Sequence, residues 1–221
     1  EAQALPDVGS AYDPSIETLV AAGPDLVILE ALTQARFAPI LARAGLEVMG
    51  VKAETAEEIN KYILKVGKII GQEEVASEKV DEINDRLARV GGSDGRTVLI
   101  LISDQDRNLY AARPESYTGE IANTLGMVNK AAGLTDSGPY PGFSLMSLET
   151  IVAADPDVIV TITPAPDPAP RLSSMISRMP QLAELKAVQD SSIFEADVTL
   201  FLQAPGPRLI EAAELLKDGT K

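Results

Sequence analysis

The side chains that could do chemistry in this chain are carboxylates, tyrosines and arginines, because its 221 residues include no histidine and no cysteine. Without imidazole or thiolate, the usual zinc sites, a cysteine nucleophile and a Ser-His-Asp triad are unavailable. Asp104 and Asp106 could serve acid–base chemistry or hold Mg²⁺, although an Asp-Gln-Asp sequence after a strand more often forms a solvated turn. The sequence also contains no G-x-x-x-x-G-K-[ST] or G-x-G-x-x-G motif. These absences give little support to an enzyme, and we expect none.

Composition narrows the possible partners. A formal net charge of −14 argues against nucleic acid, whose phosphates require clustered lysine and arginine. No apolar run approaches the ~20 residues of a membrane span, so we expect no membrane insertion of the chain as given. No basic-then-apolar leader precedes the first predicted strand. With 45% hydrophobic residues, the chain can form a packed core.

The element that must position these side chains is a helical stretch in the middle of the chain, from Thr55 to Val90. Apolar residues recur there at helical spacing, and Thr55 with Glu58 forms a capping box. Gly71 is expected to divide the stretch, and the glycine-rich residues 91–95 to end it. The second piece, beginning near Glu73, would span roughly 27 Å at 1.5 Å per residue.

Two similar segments flank this helical stretch. Ser15–Ile28 reads SIETLVAAGPDLVI and Ser147–Val160 reads SLETIVAADPDVIV, with eight of fourteen positions identical at an offset of 132 residues. Each copy predicts a short helix, a Pro-Asp turn and a buried parallel strand. The fold class is therefore α/β, with two small parallel-sheet lobes joined by a long connecting helix. We expect an N-lobe over residues 1–54, connecting helices over 55–95 and a C-lobe over 96–221.

The N-lobe so defined is small. Leu26 to Leu29 and Leu46 to Val51 are its two predicted parallel strands, with a helix from Thr33 to Ala44 between them. A parallel sheet of only two strands looks incomplete.

The order of these segments resembles a known family, the helix-linked (class III) substrate-binding proteins of ABC importers, which carry cobalamin, ferric siderophores, heme or metal ions. Leu5 to Leu29, the helical middle, Phe143 to Thr163 and Phe201 to Leu216 carry the resemblance. It implies an extracytoplasmic location, a ligand held between the lobes, and an ABC permease with its ATPase as partners. It implies no cofactor of the protein itself, although the ligand may contain cobalt or iron.

The chain departs from this family in two respects. Members normally have a further strand, helix and strand before the segment that corresponds to Glu1. Their permease-docking glutamates align near Gln34 to Arg36 and at Gln203, and glutamine cannot form the same ion pair. Glu30 or Glu195 could substitute.

Loops at the ends of the strands supply the candidate ligand contacts. Aromatic side chains would stack on a flat ligand, and arginines would pair with carboxylate or catecholate oxygens. Tyr140, between two prolines, is the candidate most expected to be exposed, whereas Tyr12 and Phe143 could instead pack against the helices that follow them. The candidates are Tyr12, Glu30, Leu32 and Thr33 in the N-lobe, and Ser103, Arg107, Tyr140, Phe143, Arg171 and Phe201 in the C-lobe.

The lack of histidine argues against a bare zinc or manganese ion. Heme could be held by a tyrosinate such as Tyr12 or Tyr140. A corrinoid or a ferric siderophore needs no metal ligand from the protein, so a small-molecule metal chelate of either kind ranks first. Two alternatives stay open: a sensory or scaffold binding domain of the same fold, and a Mg-dependent intracellular α/β enzyme using Asp104 and Asp106.

Overall fold

A computed structural model describes residues 7–10, 13–92, 94–166, 168–203 and 206–221. The chain divides into two compact units, Glu1–Lys52 and Ala53–Lys221, called here the N-terminal unit and the C-terminal unit. The predicted connecting helices, residues 55–95, fall inside the C-terminal unit.

The N-terminal unit is built around one parallel strand pair. Its elements are β1 (Gly9–Ser10), β2 (Asp13–Pro14), α1 (Ile16–Ala22), β3 (Val27–Glu30), a 3-10 turn (Ala35–Phe37), α2 (Ala38–Arg43) and β4 (Val48–Val51). β3 pairs with β4 in parallel, with Val27 opposite Val48. Val27 and Leu29 point into a small core around the fully buried Leu41, whereas Ile28 between them is 45% exposed. β3 is therefore buried on one face only, whereas the repeat predicts a buried strand.

The C-terminal unit contains the larger sheet. Its helices are α3 (Ala56–Ile69), α4 (Glu73–Val90), α5 (Tyr117–Thr124), α6 (Leu148–Ala154), α7 (Leu172–Ile176), α8 (Lys186–Gln189) and α9 (Leu209–Gly219), with a 3-10 turn at Pro180–Leu182 and a π-helical turn at Thr199–Gln203. Its strands are β5 (Thr97–Ser103), β6 (Leu109–Ala112), β7 (Val128–Asn129), β8 (Phe143–Met146), β9 (Val158–Ile162) and β10 (Ile193–Ala196).

This sheet has the order β10-β9-β5-β6-β8, with β7 beside the start of β5. β7, β9 and β10 run parallel to their neighbours, and a parallel β9 is what the repeat predicts. β6 was not predicted and runs antiparallel to both β5 and β8. Only a short turn separates β5 from β6, and a connection that short can join only antiparallel neighbours. The sheet is therefore mixed along one side.

Helices cover both faces of this sheet. On one face, α5 and α9 bury Tyr117, Ile121 and Leu209 against the alternate residues of β5 and β9. On the other face, α6 and α7 bury Ile151 and Leu172. The strand runs TVLILIS and VIVTI are apolar at nearly every position because both of their faces are covered.

The central helices form an antiparallel hairpin within this unit. The hydroxyl of Thr55 accepts the N–H of Glu58 at 3.2 Å, which confirms the predicted start of α3. A Cβ on Gly67 would lie 2.3 Å from the Cβ of Ala76, so glycine is what allows α3 and α4 to approach closely. Arg86 pairs with Glu214 at 2.9 Å, which connects α4 to α9.

The sequence repeat is also a structural repeat. Ser15 and Ser147 cap α1 and α6, and each hydroxyl accepts the N–H three residues on at 3.2 Å. Both helices end on a residue in the left-handed region, Gly23 with φ 57° and Asp155 with φ 37°. A parallel strand follows in each case, so equal local signals produce equal local structures.

Candidate ligand-binding site

Three of the four candidate residues of the N-terminal unit, Glu30, Leu32 and Thr33, lie in one turn at the end of β3. The carboxylate of Glu30 accepts the N–H of Leu32 at 2.8 Å, and both the N–H and the hydroxyl of Thr33 at 2.7 and 2.8 Å. The side-chain oxygen of Gln34 accepts the N–H of Glu30 at 2.8 Å. The Glu30 side chain thus stabilises the turn that follows it. If Glu30 contacted a permease, it would do so with a carboxylate that already accepts three hydrogen bonds. The turn presents the exposed Leu32 and Thr33 to solvent.

In the C-terminal unit, Asp104 shapes the turn between β5, which ends at Ser103, and β6. Its carboxylate accepts the N–H and the side-chain amide of Asn108, each at 2.8 Å. These bonds, the Asn108 side chain first, hold the pKa of Asp104 below its usual value. Arg107 is exposed and sits in the left-handed region with φ 65°. The turn interpretation of Asp104 and Asp106 is therefore favoured over a Mg²⁺ site.

Tyr140 lies beside this turn through a contact that sequence reasoning missed. The Tyr110 hydroxyl donates to Asp104 at 3.0 Å, and burial followed by this hydrogen bond raises the pKa of Tyr110. The Tyr140 ring meets the Tyr110 ring edge-on, with centroids 5.2 Å apart. Tyr140 is partly exposed, so the structure places an accessible aromatic edge near the turn that carries Ser103 and Arg107. Tyr110 lies in the four-residue strand β6, which is buried at every position and too short to show a period in the sequence.

At the carboxyl ends of β9 and β10, two hydroxyls and one backbone N–H donate to the carboxylate of Glu195, and these donors are called here the Glu195 cradle. The Glu195 carboxylate accepts the hydroxyls of Thr161 and Thr163 at 2.8 and 2.6 Å, and the N–H of Ser173 at 2.9 Å. Burial alone would raise the pKa of Glu195, but the hydrogen bonds outweigh it and the pKa is lowered. Glu195 is therefore engaged within the fold, and its use in place of a docking glutamate stays a prediction. Arg171 stands next to the Glu195 cradle, partly exposed, at the start of α7.

Two predicted ligand contacts are in the core. Phe143 is 3% exposed because the first position of β8 faces the helix-covered side of the sheet. Phe201 is fully buried, with its ring 6.3 Å from that of Phe194. Both predictions of ligand contact are corrected, since the apolar surroundings of these rings leave no accessible face. Tyr12 lies outside the described residues, and Gln203 is exposed at the end of the π-helical turn.

Parallel β5, β9 and β10 end at the same edge of the sheet, which is where ligands of such sheets bind. That edge carries Ser103, Arg107 and Arg171, with Tyr140 nearby through Tyr110. Among the described residues, no three His, Cys, Asp or Glu side chains are grouped to hold a metal ion. Guanidinium groups and an aromatic edge suit an anionic or flat organic ligand.

Comparison with known proteins identifies the class. A model of the family described as "Periplasmic binding protein" matches residues 1–199, so the chain belongs to that family. Its fold is the class III periplasmic binding protein fold. This family is one of binding proteins, not enzymes.

Individual proteins of this kind are similar over most of the chain. A cobalamin-binding protein of Halobacterium salinarum is 24% identical over 206 residues, which is 92% of this chain and 55% of that protein. An ABC transporter substrate-binding protein of Listeria monocytogenes has a TM-score of 0.83 at 18% identity, over 99% of this chain and 84% of that one. The petrobactin-binding protein YclQ of Bacillus subtilis has a TM-score of 0.82 at 20% identity, over 97% of this chain and 76% of that one. Structures at these identities establish the fold.

The chain spans 55% to 63% of the length of the curated relatives that it matches. Within the part of the chain that the structure describes, no helix is both long enough and apolar enough to cross a bilayer.

Proposed function

We propose that this chain is the extracytoplasmic solute-binding component of an ABC importer, and that it captures a metal chelate for delivery to a permease and its ATPase. Membership of the periplasmic binding protein family supports the solute-binding role. The relatives named for cobalamin and petrobactin support a chelate as the ligand class. Cobalamin or a ferric siderophore is the ligand that we rank first.

The observation that carries the chelate proposal is that the Tyr140 ring packs on Tyr110, whose hydroxyl bonds to Asp104 in the same turn as Arg107. Arg107 offers five N–H donors to anionic oxygens, and the Tyr140 edge offers apolar contact. A chelate brings its own metal ligands, so the protein has only to recognise the organic shell. Heme, the next candidate, would be coordinated through Tyr12 or Tyr140.

The experiment is a thermal-shift and calorimetric titration panel with cobalamin, several ferric siderophores, hemin and divalent ions. A ligand at a hundred times its Kd stabilises the folded state by about 2.7 kcal/mol. A shift with one chelate alone supports the proposal and names the cargo. A shift with a bare divalent ion in place of any chelate refutes the chelate class.

Two variants test the site itself. Arg107→Gly removes the guanidinium while relieving the left-handed backbone, so lost binding cannot be attributed to a misfolded turn. A charge-assisted hydrogen bond contributes about 1.5–3 kcal/mol, so an anionic siderophore should bind at least tenfold more weakly. Tyr140→Ala should weaken binding several-fold. Tyr62→Ala, which removes a partly exposed ring from α3, is the matched control and should leave the affinity unchanged.

A further inference from the structure

The first turn of α5 and the cap before it contain three consecutive polar residues that are nearly fully buried. Ser116, Tyr117 and Thr118 are 5%, 7% and 3% exposed. Helix propensity does not explain them, because none of the three is a strong helix former. Each uses its hydroxyl to hold a backbone segment. The segments that they hold differ. One carries Tyr140, a predicted ligand contact, and the other ends at Gln203, at the predicted permease-docking position.

On one side, the cap of α5 fixes the loop that carries Tyr140. The N–H of Arg113 donates to the carbonyl of Gly142 at 3.0 Å. The Ser116 hydroxyl donates to the carbonyl of Arg113 at 2.7 Å and accepts the N–H of Gly119 at 3.0 Å. A Cβ on Gly142 would lie 2.7 Å from the Cβ of Ser116, so the loop and the cap are in direct contact.

On the other side, the next two hydroxyls hold the π-helical turn Thr199–Gln203. Tyr117 donates to the carbonyl of Leu200 at 3.0 Å, and Thr118 donates to the carbonyl of Phe201 at 2.7 Å. Both bonds are buried. The fully buried Phe201 ring anchors the same turn, and Gln203 at its end is exposed.

We propose that the first turn of α5 couples the Tyr140 loop to the Thr199–Gln203 turn, with Tyr117 and Thr118 as the positioning residues. This inference rests on the proposed function, in which the loop contacts ligand and Gln203 lies at the permease-docking position. A shift of the loop moves the cap of α5. That shift reaches Leu200 and Phe201 because buried hydroxyls have no water to replace a lost carbonyl partner.

The first arm of the test is amide hydrogen exchange in the ligand-free chain. The N–H groups of Leu200 and Phe201 bond to the side chain and the carbonyl of Asp197, at 2.8 and 3.0 Å, so both report on the turn. In the double variant Tyr117→Phe, Thr118→Val we expect these two amides to exchange about tenfold faster or more. Amides of β5 and β9 should be unchanged. Equal exchange at Leu200 and Phe201 in variant and parent would overturn the positioning role.

The second arm measures coupling, which a merely structural contact would not produce. Tyr140→Ala should change the exchange of the Leu200 and Phe201 amides in the parent chain, and should have no effect on them in the Tyr117→Phe, Thr118→Val background. The same change in both backgrounds, or none in either, would overturn the coupling. Neither arm uses a ligand or a permease, so a failed ligand panel leaves both results interpretable.

Single variants keep the test usable if the double variant fails to fold. Thr118→Ser retains a hydroxyl and should keep the parent exchange rate at Phe201, whereas Thr118→Val should lose the protection. Equal rates in these two variants would refute the role of the Thr118 hydroxyl.

Discussion

Gly119 tests whether close backbone contact or helix propensity controls the start of α5. An alanine in a helix interior is favoured over glycine by about 1 kcal/mol, so propensity alone predicts that Gly119→Ala stabilises the protein. The structure predicts the opposite. A Cβ at Gly119 would lie 2.0 Å from the carbonyl oxygen of Arg113 and 2.9 Å from the Cα of Pro114. Both are backbone atoms that no rotamer change can move.

The expected loss of stability in Gly119→Ala follows from the backbone atoms that the new Cβ would displace. Overpacking costs about 1–3 kcal/mol. The Arg113 carbonyl also accepts the Ser116 hydroxyl at 2.7 Å, so displacing it weakens the cap of α5 by about 1 kcal/mol more. After subtracting the propensity gain, we expect Gly119→Ala to lower the free energy of unfolding by about 1–3 kcal/mol. In a chain of this size that corresponds to a fall in Tm of roughly 2–12 °C.

The assay is thermal and urea unfolding of Gly119→Ala beside Gly92→Ala. Gly92 is a fair control because its Cβ would meet only the Leu125 carbonyl oxygen, at an ordinary 3.6 Å, and no positive φ is required there. That control should stay within about 1 kcal/mol of the parent. A Gly119→Ala protein as stable as the parent, or more stable, would refute the contact reasoning.

Three further predictions concern other contacts. Gly67→Ala should destabilise the α3–α4 hairpin by about 1–3 kcal/mol in urea unfolding, and adding Ala76→Gly should recover most of the loss; no recovery would mean that another atom is responsible. Folding lowers the pKa of Glu195, so its ionised carboxylate stabilises the folded protein. This contribution to the free energy of unfolding should be complete above the unfolded-state pKa of about 4.3, and should be lost as the pH falls through the folded-state pKa. Glu195→Gln should lower stability at pH 7 by about 1–3 kcal/mol and flatten the acid limb of the urea-midpoint profile, whereas an unchanged limb would contradict the assignment. Asp155→Gly should be about 1 kcal/mol more stable than Asp155→Ala in urea unfolding. Both variants lose the hydrogen bond from the Lys186 N–H, but only glycine relieves the left-handed backbone. Equal stabilities would argue against strain at that position.

The features predicted correctly from sequence are those that local signals determine. The Thr55 cap, the Gly71 break and the two Ser caps of the repeat each depend on residues within a few positions of one another. Apolar runs without alternation likewise predict the doubly covered strands β5 and β9. Fold class and family followed from the order of such segments.

The features that sequence reasoning missed depend on distant partners. β6 and β8 have four residues each, too short to show a period, and their antiparallel pairing depends on neighbours in the sheet. The sheet pleat turned Phe143 into the core, although its position beside Tyr140 suggested a loop. Glu195 could not be distinguished from a surface acid, because its hydroxyl donors lie 32 and 34 residues away.

A group of hydrogen bonds joins the strands of the larger sheet at the edge opposite to the candidate ligand residues. At the start of the second copy's strand, Asp157 contacts the Lys186 side chain and accepts the N–H and hydroxyl of Thr97 at 2.9 and 2.8 Å. These bonds, the one from Lys186 first, hold the pKa of Asp157 well below its usual value. The bonds join the amino ends of β5 and β9, whereas the candidate ligand residues follow the carboxyl ends of the same strands. The second copy of the repeat ends at Val160, before that edge, so its residues anchor the start of β9 and the candidate ligand residues of this unit lie in loops outside the repeat.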